Sequence, residues 1–162
     1  MSSDSVSSTP VTRYLDEKGI PYRLYKHPGE VHSLEQAARE RGQRPEQIIR
    51  SIVFRLSRGG FVMVLVAGEK QVAWQALRRH LGTSRISMAT EAEVRQVTGY
   101  SIGAVAPFAT QQPVRILADR GIFLDEEISV GSGVRYTTVI MNRDNFRRAL
   151  GEVEMGDFAL KG

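Results

Sequence analysis

The chain has 162 residues, a formal net charge of +4, 41% hydrophobic and 25% charged residues, and no cysteine. That length fits one domain able to bury a sizeable core. The lack of thiols excludes disulfides, thiolate metal sites and a cysteine nucleophile.

No apolar run approaches the roughly 18 residues that a membrane span needs, so no membrane partner is expected. The polar stretch 1–8 lacks a basic-then-apolar pattern and reads as a disordered tail rather than a signal peptide. Residues 9–162 are expected to form a single domain, and a cytoplasmic location suits a thiol-free chain. The mild positive charge is open to two explanations, an ordinary solvated surface or attraction to phosphates.

In chain order, Thr9 caps a helix that opens on Pro10 and runs to about Lys18, with Val11, Tyr14 and Leu15 on one face. Gly19 and Pro21 end it, and Tyr22 to His27 alternates as a strand. Ser33 with Gln36 opens a helix through Arg41, stopped by Gly42, and Pro45 starts a short helix to about Ile49. Ser51 to Leu56 and Phe61 to Ala67 flank Ser57-Arg58-Gly59-Gly60, a hairpin signal. The second of these strands is apolar throughout, so both its faces should be covered.

Gln71 to Leu81 is helical with Gly82 as its stop, and Thr90 with Glu93 caps a helix ending near Gly99. Gly99 to Phe108 reads as a strand feeding a small-residue loop. Val114 to Ala118, Glu127 to Val130 and Tyr136 to Met141 are further strands, and Asn142 caps a last helix holding Phe146 and Leu150. The sum is a mixed α/β (α+β) domain, its strands mostly hairpin-connected and covered by helices.

His27, His32 and His80 match no metal-ligand spacing, so no metal site is expected. There is no Gly-x-Ser-x-Gly elbow and no Walker loop. Two glycine-bearing regions can present bare backbone. In Gly103, Ala104, Val105, Ala106 and Pro107, small side chains would let N–H groups approach a carbonyl or oxyanion, or the segment is a packed strand end. Gly131-Ser132-Gly133 offers the same, or is a plain hairpin turn. Arg50, where helix gives way to strand, can pair a phosphate or polarise an ester, or is a solvated strand-end charge.

Five segments in order carry a resemblance: Leu15 to Tyr22, Gln47 to Phe54, Val66 to Val72, Val97 to Pro107, and Leu124 to Ile128 with Gly131 to Gly133. In these, from about Thr9 to Phe158, the chain resembles the YbaK family of trans-editing aminoacyl-tRNA deacylases, which shares its fold with the editing domain of bacterial prolyl-tRNA synthetases. The resemblance implies a curved, partly closed mixed β-sheet surrounded by helices. It implies a pocket for the aminoacylated 3′ end of tRNA, hydrolysis of the ester of a mischarged small amino acid, and no cofactor.

It further implies a catalytic set of Arg50 with Gly103, Ala104, Val105, Ala106 and Pro107. The implied substrate-binding set is Tyr25, His27, Ser51, Lys70, Gly131, Ser132, Gly133 and Thr138. Many members carry a lysine where this chain has Arg50. The partner so implied is tRNA rather than DNA. Two other functions stay open: a module that binds aminoacyl-tRNA or an RNA end without turnover, and a protein that docks on an aminoacyl-tRNA synthetase. An aminoacyl ester is already activated, so the protein would mainly orient it and stabilise the oxyanion, at about 3 kcal/mol per well-placed donor.

Overall fold

A computed structural model describes residues 8–161, and the tail expected over 1–8 lies, but for Ser8, outside the described residues. The helices begin where side chains satisfy the first free N–H groups. The Thr9 hydroxyl accepts from the Thr12 N–H to open α1 (Pro10–Glu17), and Ser33 accepts from the Gln36 N–H to open α2 (Leu34–Arg41). Thr90 and Asn142 do the same for α4 (Glu91–Thr98) and α5 (Arg143–Leu150). The third helix, α3 (Trp74–Leu81), has no side-chain cap. It starts three residues later than the periodicity suggests. The Gln71 carbonyl is held by the Leu160 N–H and Val72 bridges Ala159, which keeps this stretch extended.

The strands are β1 (Arg23–Lys26), β2 (Ile49–Leu56), β3 (Phe61–Ala67), β4 (Ile86–Met88), β5 (Arg115–Asp119), β6 (Glu127–Gly131), β7 (Thr137–Asn142) and β8 (Glu154–Gly156). They form two mixed-connection sheets, one ordered β1-β7-β6 and the other β4-β2-β3-β5-β8. The smaller sheet is antiparallel, whereas β5 lies parallel to both β3 and β8. Hairpins therefore join only β2 to β3 and β6 to β7 among the paired strands. One parallel bridge, Ile48 with Ser129, stitches the two sheets together.

Two further expectations change. The segment 99–108 is a loop, not a strand. Gly103 sits at φ +95, and the Tyr100 hydroxyl donates to the carbonyls of Phe108 and Ala109, so the chain doubles back rather than extending. The short helix after Pro45 is a 3-10 turn over Pro45–Gln47. Ile48 is already extended, its carbonyl accepting from the Gly68 N–H.

The continuous apolar run of β3 is explained by a core on each face. Met63 and Leu65 face the space between the sheets with Leu15, Ile128, Val139 and Phe146. Val62, Val64 and Val66 face Leu77 of α3 and Phe158. Fully burying a side chain such as Leu65 contributes about 1.5–3 kcal/mol. The alternation on β2 thus sends Ile49 and Val53 toward the space between the sheets and Phe54 toward α3. Ala37, Ala38 and Ile48 form a small third cluster that seats α2 against the start of β2.

Candidate functional site

A cleft of about 460 Å³ opens beside the bridge that joins the sheets. Four stretches wall it: the segment from His27 through α2, the start of β2, the loop before β5, and the β6–β7 hairpin. A second hollow of about 400 Å³ lies at the other end of β2, among Arg55, Arg78 and Arg85.

The loop is anchored by its own side chains. Tyr100, Ala104, Ala106 and Phe108 are all buried. Burial pushes the Tyr100 hydroxyl up to about 12, so it stays a proton donor to the carbonyls it holds. The Ala104 N–H donates to the Ser101 carbonyl and the Ala104 carbonyl accepts from the Gly133 N–H at 3.0 Å. The N–H groups of Gly103, Val105 and Ala106 take no protein acceptor among the described residues. Of the loop's five candidates, Gly103 and Val105 line the cleft, while Ala104, Ala106 and Pro107 turn inward as its anchors.

The loop packs directly on β6. An ideal Cβ at Gly131 would lie 2.2 Å from the Val105 carbonyl oxygen, so only glycine permits this approach. Gly133, at φ +92, is held against the Tyr100 ring. Between them, Ser132 is buried and spends its hydroxyl on the turn, donating to the Val134 carbonyl and accepting from the Val134 N–H. Gly131 lines the cleft; Ser132 and Gly133 do not. Thr138 also lines it, with its hydroxyl donating to the Val130 carbonyl at 2.8 Å.

Arg50 lines the cleft from the start of β2, but its head is tied back. Nε donates to the Gly68 carbonyl at 2.6 Å and Nη2 to the Lys70 carbonyl. Burial lowers its pKa, against the opposing charge of Glu69. Lys70 thus meets Arg50 through its backbone, while its exposed side chain lies off the cleft. Next to Arg50, the Ser51 hydroxyl oxygen is buried in the cleft wall without a hydrogen-bond partner. Such an orphan is a site awaiting a ligand or an ordered water.

His27 sits at the centre of a polar chain. Its Nδ1 lies 2.6 Å from Glu40 Oε1, and Arg41 Nε donates to its Nε2 at 3.0 Å. An N–H donor at Nε2 requires a lone pair there, so Nδ1 carries the proton and the ring is neutral. Gln36 first, then His27, hold the Glu40 carboxyl below its ordinary range. Arg41 Nη1 donates to Ser129 Oγ at 2.8 Å, and burial lowers the guanidinium pKa to about 10. Tyr25 stands behind this chain, its ring edge against His27 and its hydroxyl donating to the Glu40 carbonyl.

Arg41, Ile102, Arg135, Tyr136 and Thr137 also line the cleft and were not singled out in the sequence. Arg41 looked like a routine cation in the last turn of a helix. Ile102, Arg135 and Tyr136 lie on loops and Thr137 opens β7, and no periodicity reveals their approach to the cleft.

No group of three or more metal-ligating side chains occurs among the described residues. Nor is any described helix long and apolar enough to cross a membrane. The fold and the cleft, with backbone N–H donors on one wall and arginine on the others, define a small α/β domain equipped to hold carbonyl or anionic oxygen. The chain belongs to the aminoacyl-tRNA editing domain family, whose pattern it matches over residues 28–149.

It is 32% identical over 132 residues to a Proline--tRNA ligase of Kosmotoga olearia, covering 80% of this chain and 22% of the relative. It therefore spans about a fifth of the prolyl-tRNA ligases it resembles. It is 27% identical over 152 residues to the Multifunctional Ser/Thr-tRNA deacylase ProXp-y of Escherichia coli K12, covering 91% of this chain and 90% of that one. A crystal structure described as a candidate trans-editing enzyme for prolyl tRNA synthetase superposes with a TM-score of 0.86 at 24% identity, over 97% of this chain and all of that one. This last likeness concerns the fold.

Proposed function

We propose that the protein hydrolyses the ester joining a mischarged small amino acid to the 3′ end of tRNA. The observation that carries this is the loop 103–107, which packs on Gly131 and presents Gly103 and Val105, whose N–H groups have no protein acceptor, to the cleft. Water attacks the ester carbonyl carbon and the carbonyl oxygen becomes an oxyanion. The N–H groups stabilise that charge more than the ground-state carbonyl, which is what accelerates the step. The C–O bond to the ribose then breaks, the ribose oxygen leaves with one proton of the water, and the amino acid departs as its carboxylate while the water's other proton passes to solvent.

In this reading Arg50 and Arg135 supply positive charge for the phosphates of the RNA end. Ser51 and Thr138 border the bound ester. The substrate is tRNA, and the compartment is that of translation, the cytoplasm. The prolyl-tRNA ligases in which such a domain is part of a longer chain support a synthetase as a further partner.

The test is a deacylation panel with tRNAs charged with alanine, cysteine, serine and proline. Release of one or more small amino acids, with prolyl-tRNA spared, is the expected result. A second reading, an RNA-end binding module without turnover, is favoured by one observation: Arg50 spends two of its donors on backbone carbonyls. Binding of charged tRNA without hydrolysis of any member of the panel would select it.

A further inference from the structure

We infer that Arg41 is a specificity-determining residue of the cleft, reading a side-chain oxygen, hydroxyl or carboxylate, on the aminoacyl group. This rests on the deacylase reading and deepens it.

The observations concern what Arg41 does and lacks. Its guanidinium is fixed at two points, Nε on the neutral His27 ring and Nη1 on the buried Ser129 hydroxyl. His27 is in turn oriented by Glu40, and Glu40 by the Gln36 amide at 2.9 Å. The head is therefore preorganised, which removes much of the ordering cost when it meets a ligand. Nη2 takes no protein acceptor, and Arg41 forms no ion pair among the described residues. No aspartate or glutamate lines the cleft among the described residues. A guanidinium set into a wall, charged and with open donors, is costly unless something accepts from it. Glu40 offsets part of the charge, and Nη2, which is not sealed from solvent, is the donor left open to a ligand entering the cleft.

The position suits the aminoacyl side chain rather than the RNA. Ser129, which holds Arg41, precedes Gly131 by two residues on β6, so they lie about 6–7 Å apart along the strand. Gly131 is where the loop 103–107 docks. From an ester carbonyl carbon held there, a side-chain oxygen on Cβ stands about 3 Å away. A hydrogen bond to Nη2 adds about 3 Å. The two steps together reach about 6 Å from the ester carbon, and Arg41, which lines the same cleft as Gly103, Val105 and Gly131, is held on the Gly131 strand through Ser129. Arg135, by contrast, is exposed, and Arg50 is occupied by the Gly68 and Lys70 carbonyls. An apolar side chain of the same shape would leave Nη2 desolvated and unpaired, and sites built for an oxygen reject such analogues.

The experiment compares tRNAs charged with threonine and valine, which have the same shape, and with serine and alanine. Aspartyl-tRNA is added to separate a carboxylate from a hydroxyl as the preferred oxygen. The wild type should favour threonyl over valyl and seryl over alanyl esters by about 10- to 100-fold in kcat/KM. Arg41→Met keeps the apolar stem and removes the head, and should bring both ratios to within about threefold of one. Because each ratio is read within one protein, a general loss of folded enzyme cancels.

Wild-type ratios near one would overturn the inference, and so would ratios unchanged in Arg41→Met. If Arg41→Met does not fold, Arg41→Lys, which has no Nε to bond His27, should lower the ratios, and unchanged ratios there would count against Arg41. If the wild type hydrolyses none of the five, it is the deacylase reading that fails. Arg41 is then judged by binding of non-hydrolysable 3′-amide adenosine analogues of threonine and valine. Tighter binding of the threonyl analogue, lost in Arg41→Met, supports the inference, and equal affinity in the wild type overturns it.

Discussion

Replacing Gly131 with alanine puts the arrangement of the cleft to a direct test. The added Cβ would stand 2.2 Å from the Val105 carbonyl oxygen, whereas real Cβ contacts essentially never fall below 3.0 Å, so the loop or the strand must retreat by at least 3.0 − 2.2 = 0.8 Å. The neighbour cannot swing aside as a long side chain would, because it is backbone, and because the Gly133 N–H to Ala104 carbonyl bond clamps the same stretch.

Overpacking of this kind costs about 1–3 kcal/mol, which for a domain of this size lowers Tm by about 2–12 °C. The larger effect should be on rate. Displacing the oxyanion donors by close to 1 Å lowers deacylation by about 100-fold. Rates are measured on one mischarged tRNA at saturating protein, alongside thermal melts. Gly60→Ala is the control: Gly60 lies in the β2–β3 turn at φ +89 with no atom within 4 Å of a built Cβ, so it should lose stability through backbone strain while keeping its rate per folded molecule. A Gly131→Ala protein with the wild-type rate would refute the placement of the loop at the reacting ester.

Arg50→Ala should lower deacylation at least about tenfold and also lower Tm, because the carbonyls of Gly68 and Lys70 lose their charged donors; wild-type rate in this variant would remove Arg50 from the site. Arg50→Lys restores a point charge but cannot hold both carbonyls as a fork, so it should recover rate more fully than Tm. Affinity for tRNA should fall with salt, and replacing Arg78 or Arg85, which line the hollow at the other end of β2, should each reduce the log–log slope by about 1; a salt-independent affinity would exclude a phosphate-led mode.

At the β5–β8 edge, the Arg115 N–H donors, with His80 adding to them, hold the Glu154 carboxyl at about 2, against an ordinary 4.5. A depressed carboxylate stabilises the fold above its unfolded pKa and stops doing so as pH falls through its folded one. The Tm gap between wild type and Glu154→Gln should therefore be present near pH 6 and close between about 4.5 and about 2. The pair is well exposed, so the gap will be small, and a gap that widens on acidification would contradict the assignment.

Local chemistry was legible in the sequence wherever it stays local. Thr9, Ser33, Thr90 and Asn142 each announce a helix, and each caps one. The Ser57 to Gly60 turn announces the β2–β3 hairpin, and the apolar run of β3 announces two covered faces. The three-residue strands β4 and β8 are too short to show a period, and their pairing depends on partners far along the chain. The same holds at the cleft. The small-residue loop and the glycines at the end of β6 could be noticed as bare backbone, but their mutual packing arises only on folding. Arg41 became a cleft residue because the end of α2 meets both His27 and Ser129, which lie 14 and 88 residues away. Arg50 showed its charge in the sequence, not the two carbonyls that capture it.

The bridge between Ile48 and Ser129 has a consequence for how such a site can diversify. Each sheet keeps its own ladder, and the cleft lies along the join rather than within either ladder. Its dimensions are therefore governed chiefly by the side chains that face each other across that join, and a change in one of them leaves the backbone pairing on both sides intact. New substrate preferences can accumulate one residue at a time on a scaffold that does not have to be rebuilt.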